Sequence, residues 1–173
     1  MSVILLIGAR GSGKTAVGSV LATLLGRPLV DLDEAALALT GLERVSDVFE
    51  QAGEHAWRQA EAAALEDAIR TPRAIIATGG GVPCVDPPRV VLQRARGEGG
   101  VTTVWLRCTP EVLAARLAVD LGDRPSLTGG DPVQESVGVA ESRASLYAAA
   151  ADLEVDGDGS IAEVAEAIAA VIA

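Results

Sequence analysis

Short apolar runs alternate along the chain with longer segments in which apolar residues recur every three or four positions. The runs predict strands at Val3 to Ile7, Leu29 to Leu32, Ala74 to Thr78, Val101 to Leu106 and Leu153 to Asp156. The segments between them predict helices. Strands that alternate with helices are typical of a parallel sheet covered on both faces, so the pattern predicts an α/β fold.

Capping residues mark several helix starts. Thr109 and Asp131 each precede a proline, which favours the first turn of a helix, and Ser160 stands three residues before Glu163, the spacing of a capping box. The last predicted helix carries an apolar face that we expect to pack on the sheet. That face consists of Ile161, Val164, Ile168, Val171 and Ile172.

Two segments lack a regular pattern. The segment from Leu121 to Asp131 is rich in Gly, Asp, Pro and Ser, and Asp156 to Gly159 lies between the last strand and the last helix. Mobile lids over bound nucleotides have this polar composition, so we expect these irregular segments to include a lid. The chain has no internal repeat or linker, and residues 1–173 are expected to form one domain.

The overall charge limits the classes of partner. The 173 residues carry a formal net charge of −10 and include no basic run, which argues against a general nucleic-acid or membrane-surface binder. The first apolar run has five residues and no basic leader, and no stretch reaches membrane-spanning length. Cys84 and Cys108 lack metal-ligand spacing, so we expect reduced thiols in a cytoplasmic protein, which we expect to be a monomer.

Residues Gly8 to Thr15 fit the phosphate-loop pattern G-x-x-x-x-G-K-[ST] between a predicted strand and a predicted helix. Glycines let successive backbone N–H groups face a polyphosphate, and the positive end of the helix dipole adds to the attraction. Lys14 is the only lysine beside thirteen arginines, which suggests that this position needs a compact ammonium group. The alternative is a glycine-rich turn that matches the pattern by chance.

Asp31 and Asp33 end the second predicted strand. Alternation along a strand would send both carboxylates to the same side, where Mg²⁺ and an acceptor hydroxyl would relieve their repulsion. The alternative for Asp33 is a helix cap or an acidic residue of the first helical turn.

A predicted long helix begins near Gly53 and carries Arg58 and Glu61, which are three residues apart and share a face. The glutamate could hold the guanidinium in one rotamer. Taken alone, the pair is an ordinary surface ion pair of little energetic worth. His55, the only histidine, is interpreted as a helix-surface residue.

Glycines and arginines supply the remaining candidates. Gly79, Gly80 and Gly81 follow the third strand at its carboxyl end, where ligands bind in open α/β sheets, and three glycines in a row indicate a place where a ligand approaches the backbone. Arginines in and beside the predicted lid are candidate clamps for a phosphate or a carboxylate, with solvated surface residues as the alternative. They are Arg116, Arg124 and Arg143.

In their order and spacing, these residues resemble the shikimate kinases, small phosphate-loop kinases with the nucleoside-monophosphate-kinase architecture. The resemblance covers nearly the whole chain. It rests on the phosphate loop with Lys14-Thr15, Gly18, Leu25-Gly26, Asp31, Asp33, Gly53-Glu54, Trp57-Arg58, Glu61, Thr78 to Gly81, Asp123 to Pro125, Arg143 and Leu146-Tyr147.

This resemblance implies a phosphate-loop NTPase fold with a five-stranded parallel sheet flanked by helices on both faces. It implies a substrate-binding region of about residues 32–62 and a lid of about residues 117–132. The implied reaction transfers the γ-phosphoryl group of ATP, with Mg²⁺, to the 3-hydroxyl of shikimate, a step toward chorismate and the aromatic amino acids.

Residue roles also follow from the resemblance. Lys14 would stabilise the β- and γ-phosphates, Thr15 would ligate Mg²⁺ with support from Asp31, and Asp33 would orient the attacking hydroxyl as a catalytic residue. Arg124 would close with the lid, and Arg116 would lie against adenine. The implied nucleotide contacts are Gly11, Ser12, Gly13, Lys14, Thr15, Ala16, Arg116 and Arg124.

On the acceptor side, the resemblance implies that Arg58 and Arg143 hold the shikimate carboxylate, with Glu61 fixing Arg58. The glycine triplet would offer backbone N–H groups to the same substrate. Trp57 stands where an aromatic residue is common in the family, and we expect it to form a wall of the pocket.

Two alternatives remain at this point. The first is another small-metabolite kinase of the same architecture, such as a gluconate kinase or a nucleoside monophosphate kinase. The second is a non-catalytic nucleotide-binding module that has kept the fold and lost the chemistry.

Overall fold

The computed structural model describes residues 2–120 and 130–172. Within these residues the strands are β1 Val3–Ile7, β2 Leu29–Asp31, β3 Ile75–Ala77, β4 Val101–Arg107 and β5 Leu153–Asp156. The helices are α1 Lys14–Leu25, α2 Leu32–Thr40, α3 Val45–Gln51, α4 Gly53–Ile69, α5 Pro88–Gly97, α6 Pro110–Val119, α7 Pro132–Ala150 and α8 Ile161–Ile172. The alternating pattern of the sequence therefore predicted the order of strands and helices.

All five described strands run parallel in one sheet, in the order β2-β3-β1-β4-β5. The predicted five-stranded parallel sheet is thus confirmed. Because the strands are parallel, the loops that follow β1, β2 and β3 all leave from the same edge of the sheet, which is where ligands bind in open α/β sheets.

The central strand β1 is buried on both faces, which explains its continuous apolar sequence. Val3 and Leu5 pack in the cluster that lies under α2, α4 and α5, whereas Ile4 and Leu6 pack in the cluster formed with α1 and α8. Helices therefore cover both faces of the sheet, as the sequence pattern predicted.

The predicted helix caps are confirmed. The Thr109 hydroxyl accepts a hydrogen bond from the Val112 N–H at 3.4 Å, and the Asp131 carboxylate accepts one from the Val133 N–H at 2.9 Å. The Ser160 N–H donates to Glu163 Oε2 at 2.9 Å and the Glu163 N–H donates to Ser160 Oγ at 3.4 Å, which completes the capping box.

The second strand ends earlier than predicted, because Leu32 opens helix α2. The Asp31 carboxylate caps this helix by accepting hydrogen bonds from the N–H groups of Asp33 and Glu34 at 3.0 and 3.2 Å. Asp33 therefore lies in the first turn of a helix, and the predicted strand position of Asp33 was wrong.

The apolar face of α8 is only partly buried. Val164 and Ile168 pack against α1 and the sheet, whereas Ile161 and Val171 stay 45% and 63% exposed. None of the helices in the described parts of the chain is long and apolar enough to cross a membrane. Residues 121–129 of the predicted lid, with Arg124, lie outside the described residues, so the lid is described only at its flanks in α6 and α7.

Candidate active site

The loop between β1 and α1 has a shape that requires glycine. Gly11 and Gly13 adopt left-handed backbone conformations with φ of +81° and +86°, which residues with a side chain rarely adopt. A Cβ added at Gly8 would lie 2.8 Å from the backbone oxygen of Leu106. The loop directs the N-terminus of α1 into a cavity at the sheet edge, an arrangement that attracts anions.

We call this space the phosphate-loop cavity. Its walls come from the loop itself, from the start of α2, from the loop after β3 and from α6. They are formed by Arg10, Gly11, Gly13, Lys14, Thr15, Ala16, Asp31, Asp33, Ala77, Thr78, Gly79, Gly80, Arg116 and Asp120. The two aspartates and the loop lysine thus line one space, although Asp33 reaches it from a helix and not from the predicted strand.

The Lys14 ammonium group is held inside the loop. Its Nζ donates to the backbone oxygens of Gly8 and Ala9 at 2.9 and 2.7 Å and to the Ser12 hydroxyl at 3.2 Å. Ser12 is not part of the cavity wall, since it is 2% exposed and its N–H donates to the Ala9 oxygen at 3.2 Å. Its side chain therefore orients Lys14.

Asp31 joins the phosphate loop to α2. Its Oδ2 accepts a hydrogen bond from the Thr15 hydroxyl at 2.7 Å, while its Oδ1 caps α2. These contacts fix one carboxylate oxygen beside the Thr15 oxygen at the cavity wall. No group of three or more His, Cys, Asp or Glu side chains that could hold a metal ion occurs within residues 2–120 and 130–172.

Arg58 and Glu61 form a buried pair, so the interpretation as a surface ion pair was wrong. The Arg58 Nη1 lies 2.6 Å from Glu61 Oε2, and the side chains are 7% and 0% exposed. Glu54, one turn earlier on α4, accepts from Nε and Nη2 of the same guanidinium at 3.1 and 2.7 Å. Burial opposes the charged form, but the two glutamates outweigh it and raise the pKa of Arg58.

A second space, which we call the arginine cavity, brings Arg58 of α4 and Arg143 of α7 together. Among the described residues, those that line it are Ala9, Arg10, Phe49, Glu54, Arg58, Gly80, Pro132, Glu135, Ser136, Val139, Ala140, Arg143 and Tyr147. Arg10 and Gly80 line both cavities, so the two spaces adjoin at these residues. The predicted convergence of the two arginines is thus present.

The glycine triplet is shaped by protein contacts as well as by the cavities. A Cβ at Gly80 would lie 3.3 Å from the Arg10 nitrogen, and a Cβ at Gly81 would overlap the Arg58 guanidinium. Gly79 and Gly80 line the phosphate-loop cavity. Close approach of Arg58 therefore favours glycine at Gly81, and the phosphate loop leaves little room for a side chain at Gly80, in addition to any contact with a ligand.

Arg116 connects the phosphate loop with the loop after β5. It donates to the backbone oxygens of Ser12, Gly157 and Gly159 at 3.4, 2.9 and 3.1 Å.

His55 is exposed on the surface of α4, as expected, and its Nε2 lies 3.3 Å from Nε2 of Gln59.

Trp57 has no exposed surface and packs against Phe49, with ring centroids 6.5 Å apart. Phe49 lines the arginine cavity and Trp57 does not, so the prediction that Trp57 forms the wall was wrong. Neighbouring helical residues point about 100° apart, so the Trp57 side chain packs in the core whereas that of Arg58 faces the cavity.

Two residues at the arginine cavity were not predicted from the sequence. Glu54 received no role, although its i, i+4 spacing to Arg58 is a recognised signal for an ion pair. Tyr147 also received no role, and its hydroxyl donates to the Gly80 backbone oxygen at 2.7 Å. No local signal predicts this second contact, because the two residues are 67 positions apart.

Both cysteines near these cavities are free thiols, as expected. Burial is the main influence on each, and it raises the pKa of Cys84 and of Cys108 despite the neighbouring arginines.

Comparisons with known proteins agree with the geometry. The family model for shikimate kinase matches residues 10–173. The chain is 41% identical over 172 residues to a shikimate kinase of Nitratidesulfovibrio vulgaris. This alignment covers 98% of this chain and 95% of that relative.

Solved structures are also similar. A shikimate kinase from Acinetobacter baumannii in complex with shikimate has a TM-score of 0.86 and 30% identity, with 99% of this chain and 93% of that chain covered. A shikimate kinase from Aquifex aeolicus has a TM-score of 0.78 and 30% identity, with 98% and 95% covered.

Proposed function

This chain belongs to the shikimate kinase family, and we propose that it transfers the γ-phosphoryl group of ATP to the 3-hydroxyl of shikimate. The products are ADP and shikimate 3-phosphate, an intermediate toward chorismate and the aromatic amino acids. The observation that carries the proposal is the meeting of the phosphate-loop cavity with the arginine cavity at Arg10 and Gly80. This junction lets a triphosphate and a carboxylated alcohol meet end to end.

The nucleotide binds with its phosphates on the loop and the N-terminus of α1. The backbone of Gly11 to Ala16 surrounds the phosphates, and Lys14 contacts the β- and γ-phosphates. Its ammonium group lies at the loop and donates to Gly8, Ala9 and Ser12, so it exchanges some of these hydrogen bonds for phosphate oxygens when the nucleotide binds. Arg116 contacts the adenine side, because it already joins the phosphate loop to the loop after β5.

Mg²⁺ is the proposed metal, held by Thr15 and Asp31. The donor set fits, since a hydroxyl and a carboxylate oxygen are the hard ligands that this ion prefers, and the structure places them 2.7 Å apart at the cavity wall. When bound, the ion neutralises negative charge on the phosphates.

Asp33 orients the attacking 3-hydroxyl. It lines the phosphate-loop cavity with Lys14, at the start of α2. The acceptor oxygen forms a bond to the γ-phosphorus while the bond from that phosphorus to the bridging oxygen of ADP breaks, and the hydroxyl proton passes to the Asp33 carboxylate. Phosphoryl transfer depends chiefly on this alignment and on charge neutralisation.

Arg58 and Arg143 bind the shikimate carboxylate from two sides of the arginine cavity. Glu61 and Glu54 fix the first guanidinium, so little side-chain entropy is lost on binding. Gly79, Gly80 and Gly81 offer backbone N–H groups to the substrate. The expected role of Arg124 as a lid residue stays a prediction.

The proposal is tested by a coupled ADP-release assay that offers shikimate, gluconate, AMP and CMP separately with ATP and Mg²⁺. We expect turnover with shikimate and background rates with the other acceptors. Two arginines facing one cavity suit a carboxylate rather than a nucleobase, which disfavours AMP and CMP. Gluconate also carries a carboxylate, and the match to shikimate kinases over nearly the whole chain disfavours it. Faster turnover of gluconate or of a nucleotide would replace this assignment with another kinase of the same fold. Calorimetric binding of nucleotide without any binding of shikimate would favour the non-catalytic module.

A further inference from the structure

Tyr147 places a buried hydroxyl beside the arginine cavity. The residue lies on α7, is 2% exposed and stacks on Trp105 with ring centroids 5.9 Å apart. Its hydroxyl donates to the Gly80 backbone oxygen at 2.7 Å. Burial is the largest influence and raises the pKa of Tyr147 far above its usual range, which favours the neutral hydroxyl that donates to Gly80.

Both arginines lie close to this hydrogen bond. Arg143 stands one turn before Tyr147 on α7, and its positive charge partly offsets the rise in the pKa of that tyrosine. On the other side, Gly81 approaches the Arg58 guanidinium so closely that a Cβ would overlap it. The Tyr147 hydroxyl therefore ties α7, which carries Arg143, to the glycine loop that lies against Arg58.

We infer that Tyr147 is a positioning residue for the acceptor carboxylate, because its hydroxyl fixes the separation between Arg143 and Arg58. Two guanidinium groups repel each other, and they bind one carboxylate well only if their spacing is held before the substrate arrives. Glu61 and Glu54 hold Arg58 within α4. In the same way, the Tyr147 hydroxyl holds α7, which carries Arg143, against the glycine loop. The inference rests on the proposed function.

The test is Tyr147→Phe, which removes the hydroxyl and keeps the ring that stacks on Trp105. We expect the KM for shikimate to rise about five- to tenfold, the size of a lost hydrogen bond to a positioned group, with the KM for ATP within about twofold. Ser142→Ala is the matched control, because it removes a hydroxyl of α7 that donates to the Val139 oxygen at 2.8 Å and does not line the cavity. We expect the control to keep both KM values.

A double-mutant cycle with Arg143→Ala identifies the route of the effect. If Tyr147 acts through Arg143, adding Tyr147→Phe to Arg143→Ala raises the KM for shikimate by less than about twofold further. A full five- to tenfold rise in that background would overturn the inference, as would an unchanged KM in Tyr147→Phe. A melting temperature that falls with the KM unchanged would assign the hydroxyl to stability alone.

The wild-type enzyme in the same assay distinguishes failure of the proposed role of Tyr147 from failure of the proposed function. Turnover of shikimate by the wild type with no change in KM in Tyr147→Phe overturns only the role of Tyr147. Absence of shikimate turnover by the wild type overturns the proposed function, and the role of Tyr147 with it.

Discussion

The Arg58 guanidinium donates to the carboxylate of Glu61 at 2.6 Å, and the Glu61 side chain is entirely buried. A buried ion pair adds little net stability over an apolar pair, but removal of one partner leaves the other charge uncompensated. Arg58 lines the arginine cavity and Glu61 does not, so this pair serves to hold the guanidinium at the cavity.

Glu61→Gln tests this relationship. The substitution keeps the shape of the side chain and removes its charge, so we expect a loss of about 2 kcal/mol in the free energy of unfolding together with a higher KM for shikimate. Urea denaturation and initial-rate kinetics measure the two effects. Glu66→Gln is the control, because Glu66 lies on the same helix in an exposed pair with Arg94. Equal effects of the two substitutions would refute the positional role of Glu61.

Asp33→Asn should keep nucleotide binding and lower kcat by at least about 100-fold, the usual range for a lost general base. The asparagine preserves the size of the side chain, so the cavity keeps its shape. Nucleotide affinity by calorimetry and kcat by the coupled assay check the two parts. Glu34→Gln, an exposed neighbour in the same helical turn, should leave kcat unchanged. A near-normal kcat in Asp33→Asn would remove Asp33 from the reaction.

Gly81→Ala should raise the KM for shikimate at least about tenfold, because the added methyl group occupies the place of the Arg58 guanidinium and displaces it. Steady-state kinetics measure the change. Gly138→Ala is the matched control on α7, since a Cβ there meets no atom within 4 Å. Alanine should stabilise that helix by up to about 1 kcal/mol and leave KM unaltered. An unchanged KM in Gly81→Ala would contradict the packing of Arg58 against this loop.

Asp152 makes the stability depend on acid pH. Partial burial opposes ionisation, but Arg96 and the Thr103 N–H outweigh it and lower the pKa of Asp152. A lowered pKa in the folded state gives stability that is complete above the unfolded value near 4 and is lost as the pH falls through the folded value. Asp152→Asn should therefore flatten the fall in stability between about pH 5 and pH 3. The control is Asp67→Asn, which removes a carboxylate from an exposed pair with Arg70. If stability falls with pH at the same slope in the wild type and in Asp152→Asn, Asp152 does not cause the acid dependence.

The features that the sequence predicted well depend on neighbours along the chain. The phosphate loop, the capping box at Ser160 and the apolar run of β1 are each encoded within a few residues, and the structure reproduces them. The carboxyl-end location of the glycine triplet follows as directly from the parallel order of the strands.

The features that were missed depend on contacts between distant segments. Nothing close to Tyr147 in sequence indicates that its hydroxyl meets Gly80, and the burial of Arg58 depends on how α4 packs beside the glycine loop. Asp33 shows a different cause of error, since a capping aspartate began a helix where alternation had suggested continued strand.

The central claim is that the γ-phosphoryl group passes to one particular hydroxyl of shikimate. Phosphorus–proton correlation spectroscopy of the product formed from ATP, Mg²⁺ and shikimate measures this directly. We predict one new phosphate ester whose phosphorus couples to the proton on carbon 3. Phosphate coupled to another ring position, or release of inorganic phosphate alone, would contradict the proposed alignment of Asp33 with the triphosphate.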